Sequence, residues 1–138
     1  MTSWRCNECG FALYLPIAAP RLTSSFLGLY SDGRFPGRCL LVFNRHVEHL
    51  ESLEPADSAA LWNDVSVVGR TVRRITGAAK INYAVLGNAT PHLHVHIIPR
   101  QPSEELPTRP PWNDPRAPFE ISPASAREMQ LLIGAALT

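Results

Sequence analysis

No apolar run in this sequence approaches the roughly 20 residues that a bilayer-crossing helix needs, so no membrane partner is expected. Charge of one sign is also scarce. Thirteen Lys and Arg stand against twelve Asp and Glu, a net charge of +1. Without a clustered basic excess there is no footprint for nucleic acid or an anionic membrane surface. A small anionic ligand stays open, because it needs local donors and not global charge. Cysteine numbers only three, an odd count that argues against a disulfide framework. Internal repeats and low-complexity stretches are absent. Met1 to Gly10 is polar and carries two of the cysteines, so it does not read as a signal peptide, and the expected location is cytoplasmic.

What remains is an ordinary globular composition. The 138 residues, 45% hydrophobic and 18% charged, fit one domain spanning 1–138. Within it, 1–10 reads as a zinc-knuckle-like amino terminus, 99–121 as a proline-rich arm and 122–137 as a closing helix. Proline is the residue in excess, with 13 copies of which eight cluster from Pro99 to Pro123 and mark that stretch as extended.

Phe26 to Tyr30 reads as a short strand ended by the turn signal Ser31-Asp32-Gly33, and Arg38 to Phe43 as a buried strand. A helix follows: Pro55 suits its first position, Leu61, Val65, Val68, Val72 and Ile75 step along one face, and Gly77 stops it. Gly69 inside it costs about 1 kcal/mol relative to Ala. Ile81 to Leu86 reads as a strand, Gly87 to Pro91 as a tight connection, and His92 to Ile98 as an alternating strand. A second helix capped by Ser122, with Pro123 just inside, runs to about Ala136. One long helix among strands joined by short links predicts an α+β fold with a mostly antiparallel sheet, rather than a doubly wound parallel one.

All five histidines sit in two places: His46 and His49, then His92, His94 and His96. The second group alternates with Leu93, Val95 and Ile97, so on a strand the three imidazoles share one face. Alternation alone marks any half-exposed strand, but Lys, Thr or Glu would serve such a face equally well. A catalytic metal is the sharper rival, since His-x-His can chelate zinc. Geometry limits it: at about 3.3 Å per residue, the backbones of His92 and His96 lie roughly 13 Å apart, and one ion cannot readily take all three rings. At least one imidazole is left free, and an unperturbed pKa of about 6.5 suits it to act as nucleophile, acid or base.

Pro91-His92-Leu93-His94-Val95-His96-Ile97-Ile98-Pro99-Arg100 resembles the histidine triad motif, in which three histidines alternate with apolar residues. Ser31 to Pro36, the apolar strand after it, Asn44-Arg45-His46, and Ile81 to Asn88 occur in the order the histidine triad (HIT) superfamily uses, so the resemblance covers roughly residues 26 to 112. It implies the HIT-like fold, with one long central helix and a carboxy-terminal helix. It also implies a nucleotide hydrolase or transferase, acting on a dinucleoside polyphosphate, a nucleoside phosphoramidate or similar. By the same resemblance His94 attacks the α-phosphate and carries a covalent nucleotidyl group, while His96 contacts the phosphate or leaving group. Asn88 and Thr90 fall where the superfamily places polar side chains near the phosphates, and Asp32 where it places an acid on the ribose hydroxyls. Asn88 and Asp32 are equally good turn residues, and Asn82 is equally a polar residue on an exposed strand face. The Gly87–Pro91 connection is shorter than in the nucleoside phosphoramidase and dinucleoside polyphosphate hydrolase branches and looks closer to a bacterial HIT-like branch with ill-defined substrates.

Cys6-Asn7-Glu8-Cys9 has zinc-knuckle spacing; the alternative is a reduced, metal-free pair on a frayed terminus. Some bacterial HIT proteins carry such a pair and bind zinc with two histidines, which by position are His46 and His92. The resemblance thus implies a closed, structural zinc site of Cys6, Cys9, His46 and His92. His49 is the alternative to His46 if the turn is helical there. Cys39, inside the apolar strand, reads as a core residue. Trp112 either covers the nucleotide pocket, or packs across an interface in the homodimer common in the superfamily, or pins the arm to its own domain. Three functions remain: a nucleotidyl hydrolase or transferase using His94, a nucleotide-binding HIT-like protein with little turnover, and a zinc hydrolase with its metal on His94 and His96.

Overall fold

A computed structural model describes residues 4–103 and 109–138. Residues 1–3 of the expected amino-terminal segment and 104–108 of the expected arm lie outside the described residues.

Five strands form one antiparallel sheet: β1 (Pro16–Ile17), β2 (Ser25–Leu29), β3 (Cys39–Phe43), β4 (Lys80–Ala84) and β5 (His94–Arg100), in the order β1-β2-β3-β5-β4. Two helices complete the α+β fold, α1 (Pro55–Thr76) and α2 (Pro123–Ala136). The alternating positions Leu27, Leu29, Cys39, Leu41, Phe43, Val95 and Ile97 point to the helix side, where they meet Leu61, Val65, Val68 and Val72 of α1 and Ala126 and Ile133 of α2. Each large side chain buried there stabilises by about 1.5–3 kcal/mol. The stepping residues of α1 are therefore its core stripe, with Ile75 only partly buried.

Both helices end where local chemistry says they should. Pro55 takes the first turn of α1 and Gly77 closes it at φ 69°, a left-handed cap that an L side chain resists. Gly69 is explained by space: a Cβ there would run into the Tyr83 hydroxyl of β4. Ser122 caps α2 by accepting from the Ser125 amide at 3.2 Å.

The strand starting at His92 needs correction. The β3–β5 ladder ends at the pair Val42 and His94, so β5 begins at His94. Before it the chain turns to different partners: Leu93 donates to the Val47 carbonyl at 2.7 Å, and the Phe43 amide to the Leu93 carbonyl at 3.0 Å. The two-residue β1 has no periodicity to announce it. The turn entering β2 is held by Asp64 of α1, a buried carboxylate accepting from the Thr23 amide (3.0 Å), the Ser24 amide (2.9 Å) and the Ser24 hydroxyl (2.9 Å).

Candidate active site and metal cluster

With one sheet face covered by helices, the other is free to hold a site. β5 lies between β3 and β4, and Leu40, His96 and Ala84 are register partners across those three strands. His94 and His96 project from this open face with ring centroids 5.3 Å apart.

Their nitrogens are sorted by their partners. Nδ1 of His94 lies 2.5 Å from the His92 carbonyl oxygen. A carbonyl only accepts, so Nδ1 carries the proton and Nε2 presents its lone pair. Nδ1 of His96 lies 3.1 Å from an Arg38 guanidinium nitrogen. A guanidinium only donates, so the order is reversed: Nδ1 accepts and Nε2 holds the proton. Burial pushes the His96 pKa down to about 4, helped by the charge of Arg38 and by His94, so the ring is neutral at pH 7.

Two cavities share the His96 ring. One, of about 490 Å³, is lined by Phe11 to Leu15, Tyr30, Asn88, Thr90, His94 and His96. The other, of about 500 Å³, is lined by Tyr30, Asp32, Arg34, Arg38, His96, Trp112 and Phe119. His96 and Tyr30 belong to both. Asn88 and Thr90 therefore stand with His94, and Asp32 stands with His96 on the other side. Arg34 grips the Asp32 carboxylate at 2.8 Å and Arg38 approaches it at 3.5 Å. Those cations outweigh the opposing effect of burial and hold its carboxyl below the ordinary range. The described part of the arm forms a wall: Gly33 donates to the Phe119 carbonyl at 2.7 Å and Ile121 to the Ser31 carbonyl at 2.8 Å. Trp112 is 66% exposed at the cavity edge, and so is not buried in its own domain. Asn82 is turned to a different task, accepting from Arg100 at 2.8 Å.

His92 faces elsewhere. Its Nδ1 lies 3.4 Å from the Cys9 sulfur, and Nδ1 of His46 lies 3.8 Å from the Cys6 sulfur. One ligand atom from each of Cys6, Cys9, His46 and His92 falls within 4.8 Å of every other. These four residues can hold a metal ion, and the donor set fits. Nε2 of His92 donates to the Phe43 carbonyl at 3.0 Å, which frees Nδ1 as a lone pair for the ion. Burial pushes the Cys6 thiol up, but backbone donors of Cys9 and Glu8 and the side chains of Cys9 and His46 outweigh it and hold it below its ordinary value, which favours one thiolate, while burial and the neighbouring Cys6 push the Cys9 thiol up. His49 lies outside the cluster, its side chain 66% exposed, because a turn with Leu50–Ser52 carries it away. The alternative ligand is thereby set aside. Among the described residues no such cluster includes His94 or His96. Cys39 is a fully buried core residue whose thiol burial pushes up to about 12.

Three residues that sequence reasoning did not single out complete the site. Phe11 stacks on both His92 (5.7 Å) and His94 (5.5 Å), spanning metal cluster and open face. Arg38 was legible only as the polar start of an apolar run, and Tyr30 only as the end of a strand.

The model of the HIT domain family matches residues 23–103. The bis(5'-nucleosyl)-tetraphosphatase (asymmetrical) of Schizosaccharomyces pombe is 29% identical over 89 residues, which are 61% of this chain and 48% of that protein. The chain thus spans about half the length of that relative. Among solved structures, a histidine triad protein of Bradyrhizobium japonicum superposes with TM-score 0.78 at 28% identity, covering 89% of this chain and 91% of the other. A histidine triad protein of Sinorhizobium meliloti 1021 does so with TM-score 0.77 at 29% identity, covering 89% of each.

Proposed function

This chain belongs to the HIT domain family, and from that footing we propose that it hydrolyses or transfers a nucleotide phosphoryl group, of a dinucleoside polyphosphate, a nucleoside phosphoramidate or similar, through a nucleotidyl intermediate on Nε2 of His94. The observation that carries the reading is the pair of opposite tautomers on β5. His94 offers a lone pair and His96, beside it, offers a proton. Nε2 of His94 attacks the α-phosphorus, and the bond to the leaving group breaks with its electron pair passing to the leaving atom. The Nε2–H of His96 donates a hydrogen bond that stabilises the charge developing there, the leaving atom taking its proton from solvent. The resulting imidazolium is stabilised by the His92 carbonyl at its Nδ1. Water or another acceptor then attacks phosphorus and gives its proton to solvent, and the bond to His94 breaks, which returns that ring to its neutral form.

Asn88 and Thr90 are proposed to contact the phosphates, Asp32 the ribose hydroxyls, and Trp112 and Phe119 the base. Two cavities of nearly equal volume that share His96 in their lining favour a substrate with a group at each end of a phosphate chain, in keeping with the name of the S. pombe relative. The metal proposed for the Cys6, Cys9, His46 and His92 cluster is zinc; with two thiolates and two imidazoles it would have no open position and a structural role. A homodimer is proposed through β4, the sheet edge, where Tyr83, Val85 and Leu86 are exposed; light scattering at several protein concentrations tests it. Among the described residues no helix is long and apolar enough to cross a membrane, and the location proposed is the cytoplasm.

The test is a panel of adenosine and guanosine polyphosphates and phosphoramidates, with product analysis for the wild type and His94→Ala. Turnover by the wild type alone, with binding retained in the variant, is the expected result. Nucleotide binding without turnover in either protein favours a HIT-like binding protein, and no binding across the panel ends the proposal.

A further inference from the structure

We infer that Arg38 is a positioning residue that fixes the proton of His96 on Nε2 and thereby keeps a donor aimed at the leaving group. The inference deepens the function proposed above and rests on it for turnover only.

Arg38 immediately precedes β3, the strand on which Leu40 pairs with His96. Its guanidinium is confined from three sides. It lies over the Tyr30 ring at 4.1 Å, approaches the Asp32 carboxylate at 3.5 Å, and donates to Nδ1 of His96 at 3.1 Å. Tyr30 in turn donates its backbone amide to the Arg38 carbonyl at 2.8 Å and packs its ring 5.2 Å from that of His96. A guanidinium has five donors and no acceptor. Either a proton on Nδ1 or a doubly protonated ring would set N–H against N–H at this contact. Only the neutral form with its proton on Nε2 satisfies the pair. The groups facing the ring agree: Arg38 from the start of β3, His94 from β5 itself, Tyr30 and Asp32 from the end of β2 and its turn, and the apolar Ala84 from β4. The nearest charge is cationic, which opposes a second proton.

A further sign that this arginine serves the site is its Nε, which is buried with no hydrogen-bond partner among the described residues. An unpaired buried donor is uncommon in folded proteins and costs stability. His94 and His96 are thus set in opposite tautomers by unlike devices, a backbone carbonyl for the nucleophile and a fixed cation for the donor.

The test is nitrogen-15 imidazole spectroscopy of the full chain, with His96 assigned by loss of its signals in His96→Asn, alongside steady-state kinetics. The expected wild-type spectrum shows His96 with its proton on Nε2 and no titration between pH 8 and 5. In Arg38→Met, His96 samples both tautomers and titrates nearer to about 6.5. The kcat then falls about a hundredfold while KM changes less than about threefold. Arg38→Lys, which keeps a charged donor, recovers at least about a tenth of the wild-type kcat. A wild-type ring protonated on Nδ1, or an Arg38→Met protein with unchanged tautomer and kcat, overturns the inference. Should Arg38→Met fail to fold, the wild-type spectrum and Arg38→Lys decide it. A wild type that turns over no nucleotide defeats the proposed function, while the spectrum still decides the role of Arg38.

Discussion

His92 and His96 stand four residues apart in one motif, yet the fold gives them opposite work. At His92 the far nitrogen is spent on the Phe43 carbonyl and the near one faces the sulfur of Cys9. At His96 the near nitrogen is spent on Arg38 and the far one keeps its proton beside two cavities. Residue type and spacing do not separate them. What separates them is where β5 begins: the ladder with β3 stops at His94, so His92 lies before the strand, where Cys6, Cys9 and His46 gather. The same imidazole faces a cluster that can hold a metal, or offers an N–H to a cavity, according to which nitrogen its neighbours consume.

The largest effect that sharpens this contrast is expected at the residue between them. His94→Ala should lower turnover more than about 1,000-fold and leave metal content, measured by mass spectrometry of the intact complex, at that of the wild type. Metal loss together with activity loss would show that the two ends are not independent. Next comes the metal end. Cys9→Ser should abolish stoichiometric zinc and remove about 4 kcal/mol of stability, if free zinc stands a thousandfold above its dissociation constant. Because Phe11 stacks on both His92 and His94, KM should rise more than kcat falls, read from denaturant melts and steady-state kinetics.

The pH response should be smaller. The pKa of His96 is held at about 4 in the folded chain, against about 6.5 when unfolded. Between those values the unfolded chain binds the extra proton, so stability falls as pH drops through this window. Urea midpoints at pH 7.5 and 5 should therefore differ, and the difference should shrink in His96→Asn. Smallest of all, His49→Ala should leave zinc stoichiometry and stability within about 0.5 kcal/mol of the wild type, whereas His46→Ala should resemble Cys9→Ser.

Much of the fold was legible because local chemistry decided it. Pro55, Gly77 and the four-three stepping between Leu61 and Ile75 bound α1, and Ser122 with Pro123 opened α2. The alternation about His94 and His96 announced β5, and Cys6-x-x-Cys9 announced half of a cluster that can hold a metal. Illegible were features made by residues distant in sequence. Arg38 meets His96 across 58 positions and Asp64 meets Ser24 across 40. Neither pairing leaves a periodicity, and β1, two residues long, is too short to have one. The tautomers depend on partners that only a fold brings near. The alternation places the start of the histidine strand two residues early, because it continues through His92 where the ladder has already stopped.

In the proposed reaction the lone pair of His94 meets phosphorus directly. Rapid mixing of the wild type with a hydrolysed substrate from the panel, an alkaline quench and tandem mass spectrometry test it at the level of one residue. A nucleoside monophosphate mass on the peptide of His94, formed no slower than turnover and absent in His94→Ala, is the predicted result. Turnover with that peptide unmodified, or with the added mass on another side chain, would contradict it.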